Sequence, residues 1–213
     1  FQGGWNYAMG LAEDEDYMED NEYERIVVDL YADWSADRYG DFTEDLFDGE
    51  GFSNDTIYFQ DGVRFTLNMN GHPINRCLTS FITDGEVMYI DADADVIINN
   101  GTITGGYSCN GAGGIHIQDD AKVTLNNVKI VGNVADGDDG GRIAMYDNAS
   151  LIMNGGGFLD NKNDTYDKGN GAAIYIHDST ATFNKVLFSN NQFTYKSGHG
   201  AAIYAWLGSV VEV

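Results

Sequence analysis

The chain has 213 residues, 34 of them acidic and 11 basic, which gives a net charge of −23. Such a surface repels nucleic acid and anionic membrane, while 43% hydrophobic residues supply a real core and make disorder throughout untenable. No run approaches the ~18 apolar residues of a membrane-spanning helix, and two cysteines cannot staple a disulfide scaffold.

In chain order, Phe1-Gln2-Gly3 reads as a protease-cleavage remnant. Residues 4–24 read as an acidic linker or tail, because eight of the twelve positions from Glu13 to Glu24 are acidic and none is basic. Residues 25–62 are expected to form an irregular N-terminal cap. Within them, Ile26 to Trp34 fits a strand by alternation, or a helix through Val27, Leu30, Tyr31 and Trp34. From residue 63 to 213 a repeat takes over, and Phe65 to Gly71 reads as its first strand and turn.

Asn99, Asn126, Asn154 and Asn184 each close a short apolar run at spacings of 27, 28 and 30 residues. Ile103, Ile130, Phe158 and Phe188 follow with the same spacings. Met88, Ile115, Ile143, Ile174 and Ile203 make one aligned column, and Ile90, Ile117, Met145, Ile176 and Ala205 another. Val96, Val123, Leu151 and Ala181 form a third, with Ile98, Leu125, Met153 and Phe183 beside it. Three brief strands per 27–30 residues, separated by Gly, Asn and Asp turns, predict an all-β, right-handed parallel β-helix. The aligned asparagines are expected at turns, bonding amide to amide between coils. Val210 to Val213 stops within a strand-like run, so the chain reads as part of a longer protein.

Gly171-Ala172-Ala173-Ile174, Phe188-Ser189-Asn190-Asn191, Gly200-Ala201-Ala202-Ile203 and Phe158-Leu159-Asp160-Asn161 resemble the Gly-Gly-Ala-Ile and Phe-x-x-Asn motifs of chlamydial polymorphic outer-membrane-protein repeats. Gly113-Gly114-Ile115 and Ile130-Val131-Gly132-Asn133 are partial copies. Leu67 to Ile74, followed by the turn at Thr102 to Gly106, is also similar to surface β-helix proteins of anaerobic gut bacteria. The resemblance covers roughly residues 57–213. It implies an extracellular or cell-surface bacterial module, often adhesin-like, within a larger protein. Because the motifs are structural, they speak to fold rather than ligand.

Two candidate sites follow. The outward positions between the buried columns are Tyr89, His116, Ala144, Tyr175 and Tyr204, and the next ones along are Asp91, Gln118, Tyr146, His177 and Trp206. Rings one strand spacing apart suit stacking on sugars, the centre of a protein interface, or cross-strand packing that serves the sheet alone. The ligand-binding candidates are Tyr89, His116, Tyr146, Tyr175, His177, Tyr204 and Trp206. Neither histidine has a third ligand or a carboxylate in register that would make it a metal site or a base.

The second candidate is the turn with Asp136, Asp138, Asp139 and Arg142, where clustered carboxylates beside a guanidinium suit a polysaccharide lyase or glycoside hydrolase. Gly137-Asp138-Asp139 and Gly198-His199-Gly200 resemble polygalacturonase motifs. However, Asp139 and His199 lie two coils apart rather than one, and the Asn-Thr-Asp element is missing. Asp91, Asp93 and Asp95 alternate as though to share one side of a strand, and calcium is the only cofactor they would suit. Cys77 and Cys109, 32 residues apart, are open to either a disulfide or two thiols. The leading expectation is a non-catalytic surface module, adhesin-like or a stalk, that binds a glycan or a surface protein. A carbohydrate-active β-helix enzyme is the alternative.

Overall fold

The computed structural model describes residues 25–35, 56–109, 111–136, 141–164, 169–194 and 199–213. Every strand pairing among them is parallel and joins segments about one repeat apart, so the chain winds as a β-helix with three sheets. Sheet B stacks β3 (Ile57–Phe59), β6 (Met88–Ile90), β9 (Ile115–Ile117), β12 (Ile143–Met145), β16 (Ile174–His177) and β20 (Ile203–Trp206).

Sheet A follows it in each coil. Its main path is β1 (Ile26–Asp29), β4 (Arg64–Asn68), β7 (Asp95–Thr104), β10 (Lys122–Val131), β13 (Ser150–Asn154), β17 (Thr180–Asn184) and β21 (Val210–Glu212). Past a corner, β2 (Trp34–Ser35), β5 (Pro73–Asn75), β14 (Gly157–Leu159) and β18 (Leu187–Ser189) continue it. Sheet C is short: β8 (Tyr107–Ser108), β11 (Val134–Ala135), β15 (Lys162–Asn163) and β19 (Gln192–Phe193).

The register bears out the columns read from the repeat. Ile115, Ile143 and Ile174 are paired neighbours, as are Leu125, Met153 and Phe183, and all of these lie in one buried core. No single coil could shield these side chains, so each depends on the coils above and below. Within 25–62, the span expected to cap the solenoid, the described residues are short strands. β1 is a strand rather than a helix; it pairs with β4 and β2 pairs with β5, while Leu30 and Trp34 seal the lower end of the core.

Two asparagine ladders fasten the coils. At the sheet A corner, each Nδ2 donates to the Oδ1 one coil below: Asn184 to Asn154, Asn154 to Asn126, Asn126 to Asn99 and Asn99 to Asn68, all at 2.8–2.9 Å. Asn68 donates to Asp29 at 2.8 Å, so the chain of amides runs one way and ends on a carboxylate. The next residue turns the corner in the left-handed region: Asn100, Asn127, Gly155 and Lys185 have φ of 53°, 53°, 70° and 57°.

The second ladder is internal and is built from the Asn of each Phe-x-x-Asn copy. Asn133 and Asn161 are fully buried. Their Oδ1 atoms accept from the backbone N–H of Gly106 and Asn133, and their Nδ2 groups donate to Ile103 O and Ile130 O. Asn191 repeats the pattern toward Phe158 O. The Gly-Ala-Ala-Ile motif is equally structural. Gly171 has φ +66°, and a Cβ there would sit 2.3 Å from Ile174 O.

Candidate interaction face

In sheet B, alternation sends Ile57, Phe59 and their equivalents inward and leaves Tyr58, Tyr89, His116, Ala144, Tyr175 and Tyr204 in register on the outside. The rings stack along the solenoid axis. Centroids are 5.6 Å apart for Tyr58–Tyr89, 4.8 Å for Tyr89–His116 and 5.8 Å for Tyr175–Tyr204, with interplanar angles of 25°, 29° and 13°.

Ala144 would break the column. Tyr146, just past the end of β12, fills the gap, with its ring 5.1 Å from His116 and 5.7 Å from Tyr175. The result is an unbroken column of six rings from Tyr58 to Tyr204, tilted by 49° between Tyr146 and Tyr175, and Trp206 flanks its upper end at 6.3 Å from Tyr204. Ala112 packs against Ala144 and Tyr175 and covers the middle of the stack.

This geometry changes how the rings can be used. Sugars were expected to lie on ring faces, but those faces are turned to one another, and solvent meets ring edges and hydroxyls. Tyr175 is only 4% exposed, whereas Trp206 is 51% exposed.

The lower part of the face is a polar network. Tyr58 donates its hydroxyl proton to Asp91, whose other oxygen accepts from Ala92 N–H at 2.9 Å. Gln118 Nε2 donates to Tyr89 Oη at 2.7 Å and lies 3.1 Å from His116 Nε2. Burial lowers the His116 imidazole to about 4, against a smaller opposing pull from Asp91. Burial also pushes the Tyr89 phenol up to about 12, helped by the charges of Asp91, Glu86 and Asp119 and opposed by the Gln118 hydrogen bond. Tyr58 is raised in the same direction by burial and by its bond to Asp91.

Higher up, His177 Nδ1 lies 3.2 Å from Asp147 Oδ1, a carboxylate that is not in strand register with it. The partner comes from the turn of the preceding coil, which strand register alone does not reveal. Its ring is 6.2 Å from Tyr146 and 6.4 Å from Tyr175. Three members of the face escaped the sequence argument. Tyr58 sits in the span assigned to the cap, although Ile57-Tyr58-Phe59 has the pattern of Met88-Tyr89-Ile90. Gln118 had drawn notice only for its position, and Asp91 only for its position and as a calcium candidate.

The acidic turn is less coherent. Asp138 and Asp139 lie outside the described residues. Asp136 follows β11, one coil below Asp164, and their N–H groups donate to Ser108 O and Ala135 O at 2.8 Å. Tyr107 is raised by burial and by the charges of Asp164 and Asp136. Arg142 has no exposed surface, and none of its three guanidinium nitrogens has a hydrogen-bond partner among the described residues. It occupies the position that Gly114 and Ala173 fill in adjoining coils. Burial lowers it to about 9, with Asp164 acting against the shift. A guanidinium so enclosed cannot touch a polymeric substrate.

Asp91, Asp93 and Asp95 do not converge. Asp91 holds Tyr58, Asp93 turns the corner at φ 55°, and Asp95 pairs with Arg25. Among the described residues no three His, Cys, Asp or Glu side chains gather to hold a metal ion. Cys77 and Cys109 are not joined by a disulfide: Cys77 Sγ lies 3.1 Å from Ser35 Oγ, and Cys109 Sγ 3.9 Å from Thr83 Oγ1.

No curated protein and no solved structure matches the chain. A family profile described as the right handed beta helix region matches residues 48–212. The three parallel sheets, the stacked core columns and this match agree, and the chain belongs to the right-handed β-helix family.

Proposed function

We propose that this domain is a non-catalytic surface module of a larger bacterial protein, adhesin-like or a stalk, working outside the cell and holding a glycan along the outer face of sheet B. One observation carries the reading. The face presents ring edges and hydroxyls about one per coil, and the groups of its lower part are set against proton exchange near neutral pH. His116 is kept neutral, and Tyr58 and Tyr89 are kept protonated. A general acid or base needs the opposite tuning, whereas fixed hydrogen-bonding groups on a rigid strip suit recognition. The enclosure of Arg142 also weighs against polysaccharide cleavage at the acidic turn. The resemblance to surface-protein repeats supports the location.

The test is a panel of soluble and insoluble plant and host polysaccharides, with calcium present, scored together for retained protein and for new reducing ends. Retention without release is expected. A Tyr89→Phe, Gln118→Ala double variant keeps the ring stack, removes polar contacts and lowers retention several-fold. Released sugar ends would overturn the non-catalytic reading.

A further inference from the structure

The charges around the sheet B face are one-sided. Its strands and the turns that follow them comprise residues 57–62, 88–94, 115–121, 143–149, 174–179 and 203–209. They hold seven carboxylates (Asp61, Asp91, Asp93, Asp119, Asp120, Asp147 and Asp178) and no Lys or Arg. Arg64 and Lys122 open strands of sheet A beyond the turns, and Arg142, directly before β12, is enclosed.

The acids are placed by the fold. Asp93 and Asp120 take left-handed φ of 55° and 58°, and stacked backbone bonds hold the turns coil on coil, from Asp93 N–H to Asp119 O and from Asp120 N–H to Asp147 O, both at 3.0 Å. Carboxylates therefore recur at the ~4.8 Å coil spacing beside the row of ring edges. They act on the face itself: Asp61 and Asp91 raise Tyr58, Asp91 and Asp119 raise Tyr89, and Asp147 lies against His177 with its side chain 60% exposed.

We propose that the glycan held on sheet B is cationic, a polysaccharide carrying free amino groups along its length. This rests on the glycan-binding reading above and narrows it. Ring faces engaged in stacking are closed to cation–π contact, so ammonium groups are met by the turn carboxylates, while sugar oxygens meet the phenol hydroxyls and the electropositive ring edges. The same field turns away polyuronates and other polyanions.

The experiment measures binding of the domain to poly-N-acetylglucosamine, to the same polymer after deacetylation, and to polygalacturonate, at low and high salt. The deacetylated polymer is expected to bind about tenfold more tightly than the acetylated one, with the difference shrinking as salt screens it. Asp119→Asn, Asp120→Asn, Asp147→Asn together should abolish that preference. A control with equal charge change on other faces, Asp33→Asn, Asp160→Asn, Glu212→Gln, should keep it. Equal loss in both variants would overturn the proposal, because it would show attraction to net charge alone. Equal binding of both glucosamine polymers, or binding of polygalacturonate, would overturn it and leave the glycan reading standing. Failure to bind any polysaccharide in the wider panel would overturn both.

Discussion

Truncating Asn161 should destabilise the domain far more than truncating Asn154, although both are ladder asparagines one coil period from their neighbours. Asn161 is fully buried; its Nδ2 donates to Ile130 O and to Asn191 Oδ1 at 2.9 Å, and its Oδ1 accepts from Asn133 N–H at 3.1 Å. Asn161→Ala strips partners from a carbonyl and an N–H belonging to residues that are themselves fully buried. Each orphaned group costs about 1–3 kcal/mol, so the total is about 4 kcal/mol. Asn154 makes two amide bonds at 2.9 Å but is exposed, and water replaces what it loses. Asn154→Ala should therefore cost only about 1 kcal/mol. Urea unfolding measures the difference. Because a solenoid can open locally, amide exchange at Asn133 provides a second reading and should speed up only in Asn161→Ala. Two variants within about 1 kcal/mol of each other, with equal exchange at Asn133, would refute the claim that burial sets the worth of these ladders.

Gly171→Ala should cost at least about 2 kcal/mol, since it combines a left-handed φ with a Cβ placed 2.3 Å from Ile174 O. Gly62→Ala, at a similar φ but in open space, should cost about half that, and paired thermal melts check the ratio. Arg142→Met should stabilise the domain by about 1–3 kcal/mol by removing an enclosed guanidinium with no hydrogen-bond partner among the described residues; a lower melting temperature would contradict this. Stability against pH should show two opposing slopes. His116, lowered from 6.5 to about 4, makes the unfolded chain the better proton binder, so its contribution is complete above pH 6.5 and drains away toward 4. Glu86, raised from 4.5 to about 7 chiefly by burial, does the reverse, contributing below pH 4.5 and losing that contribution as pH rises through 7. Glu86→Gln should therefore stabilise the domain at pH 8 and uncover a loss of about 2–3 kcal/mol between pH 7 and 4, measured by denaturant titration across pH.

Periodicity alone was enough to read the solenoid, because a coil that cannot bury its own inward face must repeat its apolar positions. Met88, Ile115, Ile143 and Ile174 announce this, and so do the corner asparagines. Side-chain direction was less accessible. Nothing in the spacing says that Tyr146 leans into the gap above Ala144, since register fixes Cα neighbours and not ring placement. Composition also misleads about burial. Asn161 and Arg142 look like surface residues, yet both are enclosed, the asparagine with every partner it needs and the arginine with none of its guanidinium nitrogens bonded among the described residues. The aspartate at 93 suggested a metal ligand, whereas its short side chain serves a corner where φ is positive, as Asp120 does one coil on.

The one-way run of amides from Asn184 down to Asp29 bears on how such a protein changes length. Each coil delivers one donor to the coil below and one acceptor to the coil above, so every coil is the same kind of link. Duplicating or deleting a whole coil leaves all remaining links complete, whereas a partial insertion would strand a donor. Reach can thus be tuned over evolutionary time in steps of about one 4.8 Å strand spacing, with the carboxylate of Asp29 kept as the fixed origin from which the count begins.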